Sequence, residues 1–301
     1  MNAANQIEKI NSNAQSTARQ TRGEVVITGT SKSYMIGPVH EQVIEDCSLT
    51  LAAGKLTVLI GPSGCGKSTL INILAGYETA DSGTITIDGE PIKGPSSDRL
   101  VVFQETALFP WMTTWQNIVY GPQVQRVRSR SDIEDEAVRL LDRVGLRDFR
   151  YKYPSQLSGG MQRRAELARA MINEPRLMLL DEPFRGLDAM TRELMQEHFM
   201  RLYEEKQQTV LFVTSEIDEA IFLADTLVLM SNKPGQIIKE FEIDLPRPRE
   251  PHVLTSEAYL HYKGEALDIL HEEALKAFEG GSKTAADFVE AYEREQEIPK
   301  E

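Results

Sequence analysis

From Glu24 onward, short apolar and β-branched runs alternate with longer stretches in which apolar residues recur at helical spacing. The runs predict strands at Val25–Thr28, Leu56–Ile60, Thr84–Ile87, Leu100–Phe103, Leu177–Asp181, Val210–Thr214 and Thr226–Met230. Several are apolar throughout, as strands covered on both faces of a sheet must be. Helical segments between strands indicate an α/β fold. Between Gln104 and Asn173 the strand signal stops. There SDIEDEAVRLLDRVG and SGGMQRRAELARAM read as helices, the first started by Ser131 with Glu134 at capping-box spacing. An all-helical insert of about residues 105–173 is therefore expected inside an α/β domain of residues 24–250.

The two ends differ from this body. Residues 1–23 are rich in Asn, Gln, Ser and Thr and hold few large apolar side chains, so a disordered polar leader is expected, with no secretory h-region. Residues 251–301 carry twelve acidic and five basic side chains, which places −7 of the net charge of −13 in this segment. Leu267, Leu270, Ala274 and Phe278 fall at helical spacing. A Gly280–Gly281 break follows, then a second stretch with Phe288 and Tyr292, so an acidic extension of two amphipathic helices is expected. The acidic balance argues against a nucleic-acid-binding protein. Two cysteines, Cys47 and Cys65, cannot build a disulfide framework, and no apolar run reaches the ~18–20 residues of a membrane span.

The first chemistry-bearing motif is GPSGCGKST, comprising Gly61, Pro62, Ser63, Gly64, Cys65, Gly66, Lys67, Ser68 and Thr69. It stands between the strand LTVLI and a helix beginning near Lys67. This is the Gly-x4-Gly-Lys-Ser/Thr loop in strand–loop–helix context. Its glycines let successive N–H groups point inward at an anion, Lys67 reaches the β- and γ-phosphates, and the Ser68 hydroxyl can ligate Mg²⁺. LMLLDEP supplies the acidic strand end such a site needs. Asp181 would hold Mg²⁺ and Glu182 would act as general base toward an attacking water.

A second anion-binding helix start, LSGGMQRR at Leu157–Arg164, offers Ser158, Gly159 and Gly160 although the chain already has a phosphate cradle. With it the sequence resembles the ATP-binding subunits of ABC transporters over about Glu24 to Arg249. The resemblance implies a RecA-like P-loop ATPase core with a helical subdomain and a C-terminal helical extension. It implies two such domains sandwiching two ATP molecules head to tail, with Ser158, Gly159, Gly160 and Gln162 meeting the nucleotide of the other subunit. Tyr34 looks like the aromatic that stacks on adenine. Gln104 looks like the Q-loop glutamine at Mg²⁺, and Gly186–Leu187–Asp188 like the D-loop. FPWMTTWQNI, DEPFRGLDAMTRE, DEAIFLAD, MSNKPGQI and DLPRPR resemble the nitrate, sulfonate and taurine importers. Partners implied are two transmembrane permease subunits, a second ATPase subunit and an extracytoplasmic binding protein, with the chain on the cytoplasmic face of the membrane. Leu108, Phe109, Pro110 and Trp111 would line the groove for a coupling helix.

Two positions depart from the pattern. Ser215, in VTSEIDEA, stands where the family places a histidine at the γ-phosphate, and a serine carries no ionisable nitrogen. Slower hydrolysis is expected, or a non-identical partner with a complete site; a weakly hydrolysing regulatory subunit is the rival reading. Arg185 replaces a usual glycine and is expected either to pair across the dimer seam or to lie solvated. A soluble DNA-repair ATPase of the same class is disfavoured, since only 90 residues separate Ser68 from Ser158 and there is one cassette.

Overall fold

The computed structural model describes residues 22–126 and 128–279. Two sheets organise it. A six-stranded sheet has the order β10-β9-β3-β8-β7-β6, from β3 (Leu56–Ile60), β6 (Arg99–Val102), β7 (Leu177–Asp181), β8 (Thr209–Thr214), β9 (Thr226–Met230) and β10 (Ile237–Glu242). All its pairings are parallel except β9 with β10. An antiparallel sheet has the order β2-β1-β4-β5, from β1 (Val25–Ile36), β2 (Val39–Leu51), β4 (Ser82–Ile87) and β5 (Glu90–Pro91).

The parallel strands are covered on both faces, and their side chains alternate between two cores. Leu56, Val58, Ile60, Val210 and Phe212 enter one core with the helices α2 (Thr114–Gln125), α3 (Arg130–Arg143), α4 (Gly159–Met171) and α5 (Ala189–Lys206). Leu59, Leu211, Val213, Val228 and Met230 enter the other, with α1 (Lys67–Ala75) and the antiparallel sheet. Period-two burial on both sides explains why these strands read as continuous apolar runs.

Three expectations change. The strand over Val25–Thr28 continues to Ile36, while β2 and β10, which alternate charged and apolar residues at sheet edges, gave no run to read. Helix α3 is capped by Ser129, not Ser131: the Ser129 hydroxyl accepts from Asp132 N–H at 3.2 Å, and Glu134 pairs with Arg130 at 2.7 Å. Thr113 and Gln116 at the start of α2 do form a capping box. Among the described residues no strand falls between 105 and 173. Residues 1–21 of the expected leader, and Gly280–Gly281, Phe288 and Tyr292 of the extension, lie outside the described residues. Gly23 belongs to the fold, donating its N–H to Asp88 Oδ1 at 2.7 Å. The first extension helix is α7 (Glu257–Glu279), whose Ala266, Leu270 and Ala274 are buried. No helix of the described residues is long and apolar enough to cross a membrane.

Candidate nucleotide site

The loop from β3 to α1 places its chemistry by backbone geometry. Gly66 has φ +106°, and a Cβ there would come within 2.9 Å of Ile44 Cγ1, so only glycine lets β2 close against the loop. Lys67 is buried and donates to the Gly61 and Pro62 carbonyls at 2.8 and 3.0 Å, which curls its ammonium back over the loop. Ser68, in the first turn of α1, lies close enough to Asp181 for its hydroxyl to favour the charged carboxylate. Hydroxyl and carboxylate are therefore brought together at the end of β7, two hard oxygen donors of the kind a divalent cation takes beside phosphates. Loss of water raises the Asp181 carboxyl above its ordinary range, with the Glu182 charge adding to this, while Ser68 and Lys67 oppose it.

Glu182 follows at φ +44°, a left-handed conformation unusual for a glutamate, with its N–H held by the Val213 carbonyl at 2.9 Å. Because Asp181 lies in register with Val213, the end of β8 and half-buried Ser215 adjoin this turn. Arg185 is largely exposed, yet within its own chain its Nη1 lies 2.8 Å from Glu182 Oε2. Cys65 is fully buried, and burial pushes its thiol up, so it is a packing residue of the loop.

Tyr34 stands beside the same loop. Its hydroxyl reaches Glu78 and Thr69, and its ring lies 5.4 Å from the Lys32 ammonium. Gln104 is exposed, and what holds its segment could not be read from the motifs. Arg163 donates to the Phe103 carbonyl at 2.7 Å and to that of Gln104, and pairs with Glu166 at 2.6 Å. Glu166 accepts from Ala107 N–H at 2.9 Å, and Arg169 donates to the Ala107 carbonyl at 2.8 Å. One face of α4 thus grips the backbone of residues 103–107. Burial pulls Arg163 down and pushes Glu166 up from their ordinary values, the ion pair opposing both.

The other end of α4 carries Ser158, whose hydroxyl accepts from Met161 N–H at 3.4 Å. Ser158, Gly159 and Gly160 line a cavity of about 470 Å³ together with Gly186, Leu187 and Asp188, and no residue of the 61–69 loop lines it. Gln162 spends its amide on the Pro154 and Leu157 carbonyls at 3.0 and 3.2 Å and accepts from Thr106 at 3.1 Å. Sequence reasoning also missed Gly235, where a Cβ would meet the Cys65 carbonyl at 2.0 Å, so the loop after β9 packs directly under the phosphate loop. The only signal for it was the stretch MSNKPGQI.

A family model described as ABC transporter matches residues 44–185, which hold the loop, both acidic residues and the second helix start. The taurine import ATP-binding protein TauB of Yersinia pestis is 44% identical over 201 residues, covering 67% of this chain and 78% of its own. The nitrate import ATP-binding protein NrtD of Synechococcus elongatus is 42% identical over 231 residues, covering 76% and 84%. The chain belongs to the ABC transporter family. It is an ATP-binding subunit of that family, and an ATPase. A solved dimer of the ATP-binding cassette MJ0796, in a post-hydrolysis state with ADP and Pi, superposes with a TM-score of 0.64 at 27% identity over 74% of this chain and all of that one.

Proposed function

We propose that this ABC subunit powers a bacterial importer of small oxyanions, of the nitrate, taurine and sulfonate class, as one of two ATPase subunits under two permeases. The observation that carries its chemistry is the meeting of Ser68, Asp181 and Glu182 at the ends of α1 and β7. Ser68 and Asp181 are the residues that would hold Mg²⁺, with Gln104 completing the set from its clasped loop. Among the described residues there is no cluster of three or more His, Cys, Asp or Glu, which suits an ion bound mainly through phosphates and water. When bound, Mg²⁺ neutralises phosphate charge. The Gly61–Thr69 loop binds the phosphates, and Tyr34 takes the adenine. Glu182 accepts a proton as a water oxygen bonds to the γ-phosphorus. The bond to the bridging oxygen breaks with its electron pair left on ADP, releasing phosphate.

The cavity at the Ser158–Gly160 turn has no residue of the 61–69 loop in its lining, which supports a nucleotide sandwiched between the loop of one subunit and the Ser158–Gly160 turn of another. ATP then closes the dimer through its greater affinity for the closed form, and hydrolysis reopens it. An aromatic patch on the helical insert suits a permease. Trp111 is 69% exposed, its ring 5.6 Å from Phe109, which in turn meets Tyr120 edge-on at 5.3 Å. Leu108 beneath it is buried. The chain would sit peripherally on the cytoplasmic face of the membrane, with an extracytoplasmic binding protein choosing the substrate. The test is extraction from native membranes followed by intact-complex mass. Two ATPase subunits with two permeases are expected, and W111A should release the permeases. A chain that emerges without any membrane subunit would overturn the importer reading.

A further inference from the structure

At two neighbouring strand ends this chain departs, in opposite senses, from the pattern that its family resemblance implies. After β8, Ser215 removes an ionisable donor; after β7, Arg185 adds a guanidinium. The two turns are joined, since Glu182 N–H donates to Val213 of β8. Glu216, next to Ser215, adds no positive charge. Its N–H is taken by Thr214 Oγ1 at 3.0 Å, and its carboxylate lies 3.6 Å from Arg192 at the start of α5.

Arg185 is held against the Glu182 turn. Its N–H donates to the Glu182 carbonyl at 3.1 Å, closing the turn, and Nη1 donates to the carboxylate at 2.8 Å. The carboxylate side chain is 12% exposed and fixed by its backbone, whereas the arginine side chain is 57% exposed, so the arginine is the partner able to move. The contact with Glu182 engages one N–H of a group that carries five in a planar fork. Phosphoryl transfer draws most of its catalysis from positive groups aimed at the oxygens where charge develops.

We propose that Arg185 is the cationic catalytic group of this chain's hydrolytic site. It aims Glu182 through one nitrogen and, when a γ-phosphate lies beside that carboxylate, places its other donors on the phosphate oxygens. It thereby supplies beside Glu182 the positive charge that Ser215 cannot carry. This rests on the reading of Glu182 as the general base. The arginine forms and breaks no covalent bond; the proton still goes to Glu182 and the electron pair to ADP.

The experiment uses the full chain with Mg-ATP turnover, and trapping of ADP with aluminium fluoride as a readout independent of turnover. R185G should lower kcat by about 100-fold or more with KM changed less than about 3-fold, and should lose aluminium-fluoride trapping by a similar factor. R185K should keep part of both. Adding S215H to R185G should restore kcat at least about tenfold, which no packing role of Arg185 would allow. R185G that turns over as fast as the parent or faster makes the arginine a bystander or a brake, and loss without rescue by S215H makes it structural; either result overturns the proposal. E182Q is the separate control: turnover that survives it refutes the general base whatever Arg185 does.

Discussion

Asp181 is a carboxylate that the fold tolerates at a cost. Burial favours its neutral form, and the Glu182 charge adds to that, beyond what Ser68 and Lys67 offset. The folded chain therefore holds this proton more tightly than the unfolded chain does, and the group's contribution to stability falls as pH rises through its raised value. D181N removes the charge and keeps the shape. We expect it to raise the melting temperature at pH 7 by about 2–4 °C, the change that ~1 kcal/mol produces in a domain of this size, while abolishing ATP turnover. The gain should shrink as the melt is repeated at lower pH. A melting temperature unchanged or lowered at pH 7 would show that Ser68 and Lys67 fully compensate the burial. The same position shows what sequence can convey: Asp181 and Glu182 were legible as a strand end beside a phosphate loop. The hand of Arg185 on Glu182 was not, because three-residue spacing outside a helix says nothing about where two side chains meet.

At the scale of elements, one carboxylate ties the base of the parallel sheet to its flanking pieces. Asp225, just before β9, accepts from Leu56 N–H of β3 at 2.8 Å, from the Tyr203 hydroxyl of α5 at 2.7 Å and from Arg247 at 2.7 Å. Burial works against its charge, but these donors outweigh it and hold its carboxyl below the usual range. The stabilisation is present above the unfolded carboxylate range and is lost as pH falls through the lowered folded value. D225N should then destabilise by about 3 kcal/mol at neutral pH in urea melts, with the gap to the parent closing below about pH 4. A gap independent of pH would assign the loss to shape instead of charge. Next to it, Arg249 is buried and donates to the Ile221 and Phe222 carbonyls near the end of α6 (Ile217–Leu223), and burial with the Arg247 charge pushes it down to about 10. This gives DLPRPR its physical meaning, which the sequence offered only as a likeness. The doubly buried strands β3, β7 and β9 were readable to the residue, since burial on both faces demands an apolar run. Edge strands β2 and β10 face water on one side and alternate, so no run marks them. Arg163 and Glu166 read as surface charges of an amphipathic helix, yet they are 4% and 2% exposed, because the backbone of the 103–107 loop supplies the partners that make burial tolerable.

The 61–69 loop and the Ser158–Gly160 turn line no cavity in common, and this predicts a behaviour no single chain can show. In a head-to-tail dimer each nucleotide meets the loop of one subunit and the Ser158–Gly160 turn of the other. K67A disables every site that uses its own loop. G159E disables every site that uses its own turn, and does so gently: a Cβ at Gly159 meets no atom within 4 Å, so the added carboxylate enters open space at a helix start and repels phosphate without disturbing packing. Each variant alone should be inactive. In a mixed dimer one site collects both defects, while the other joins the sound loop of the G159E chain to the sound turn of the K67A chain. Equal mixing makes half of the dimers mixed, each with one working site of two, so turnover should recover to about a quarter of the parent. Recovery can come only from composite sites, because neither chain carries a complete one. A mixture as inactive as its components would place loop and turn in the same chain's site, and the Ser158 turn would then have to reach its own phosphate loop through a rearrangement of α4 against the sheet. The clasp of Arg163, Glu166 and Arg169 on the 103–107 backbone opposes that rearrangement, since α4 could not swing without carrying the Gln104 loop along.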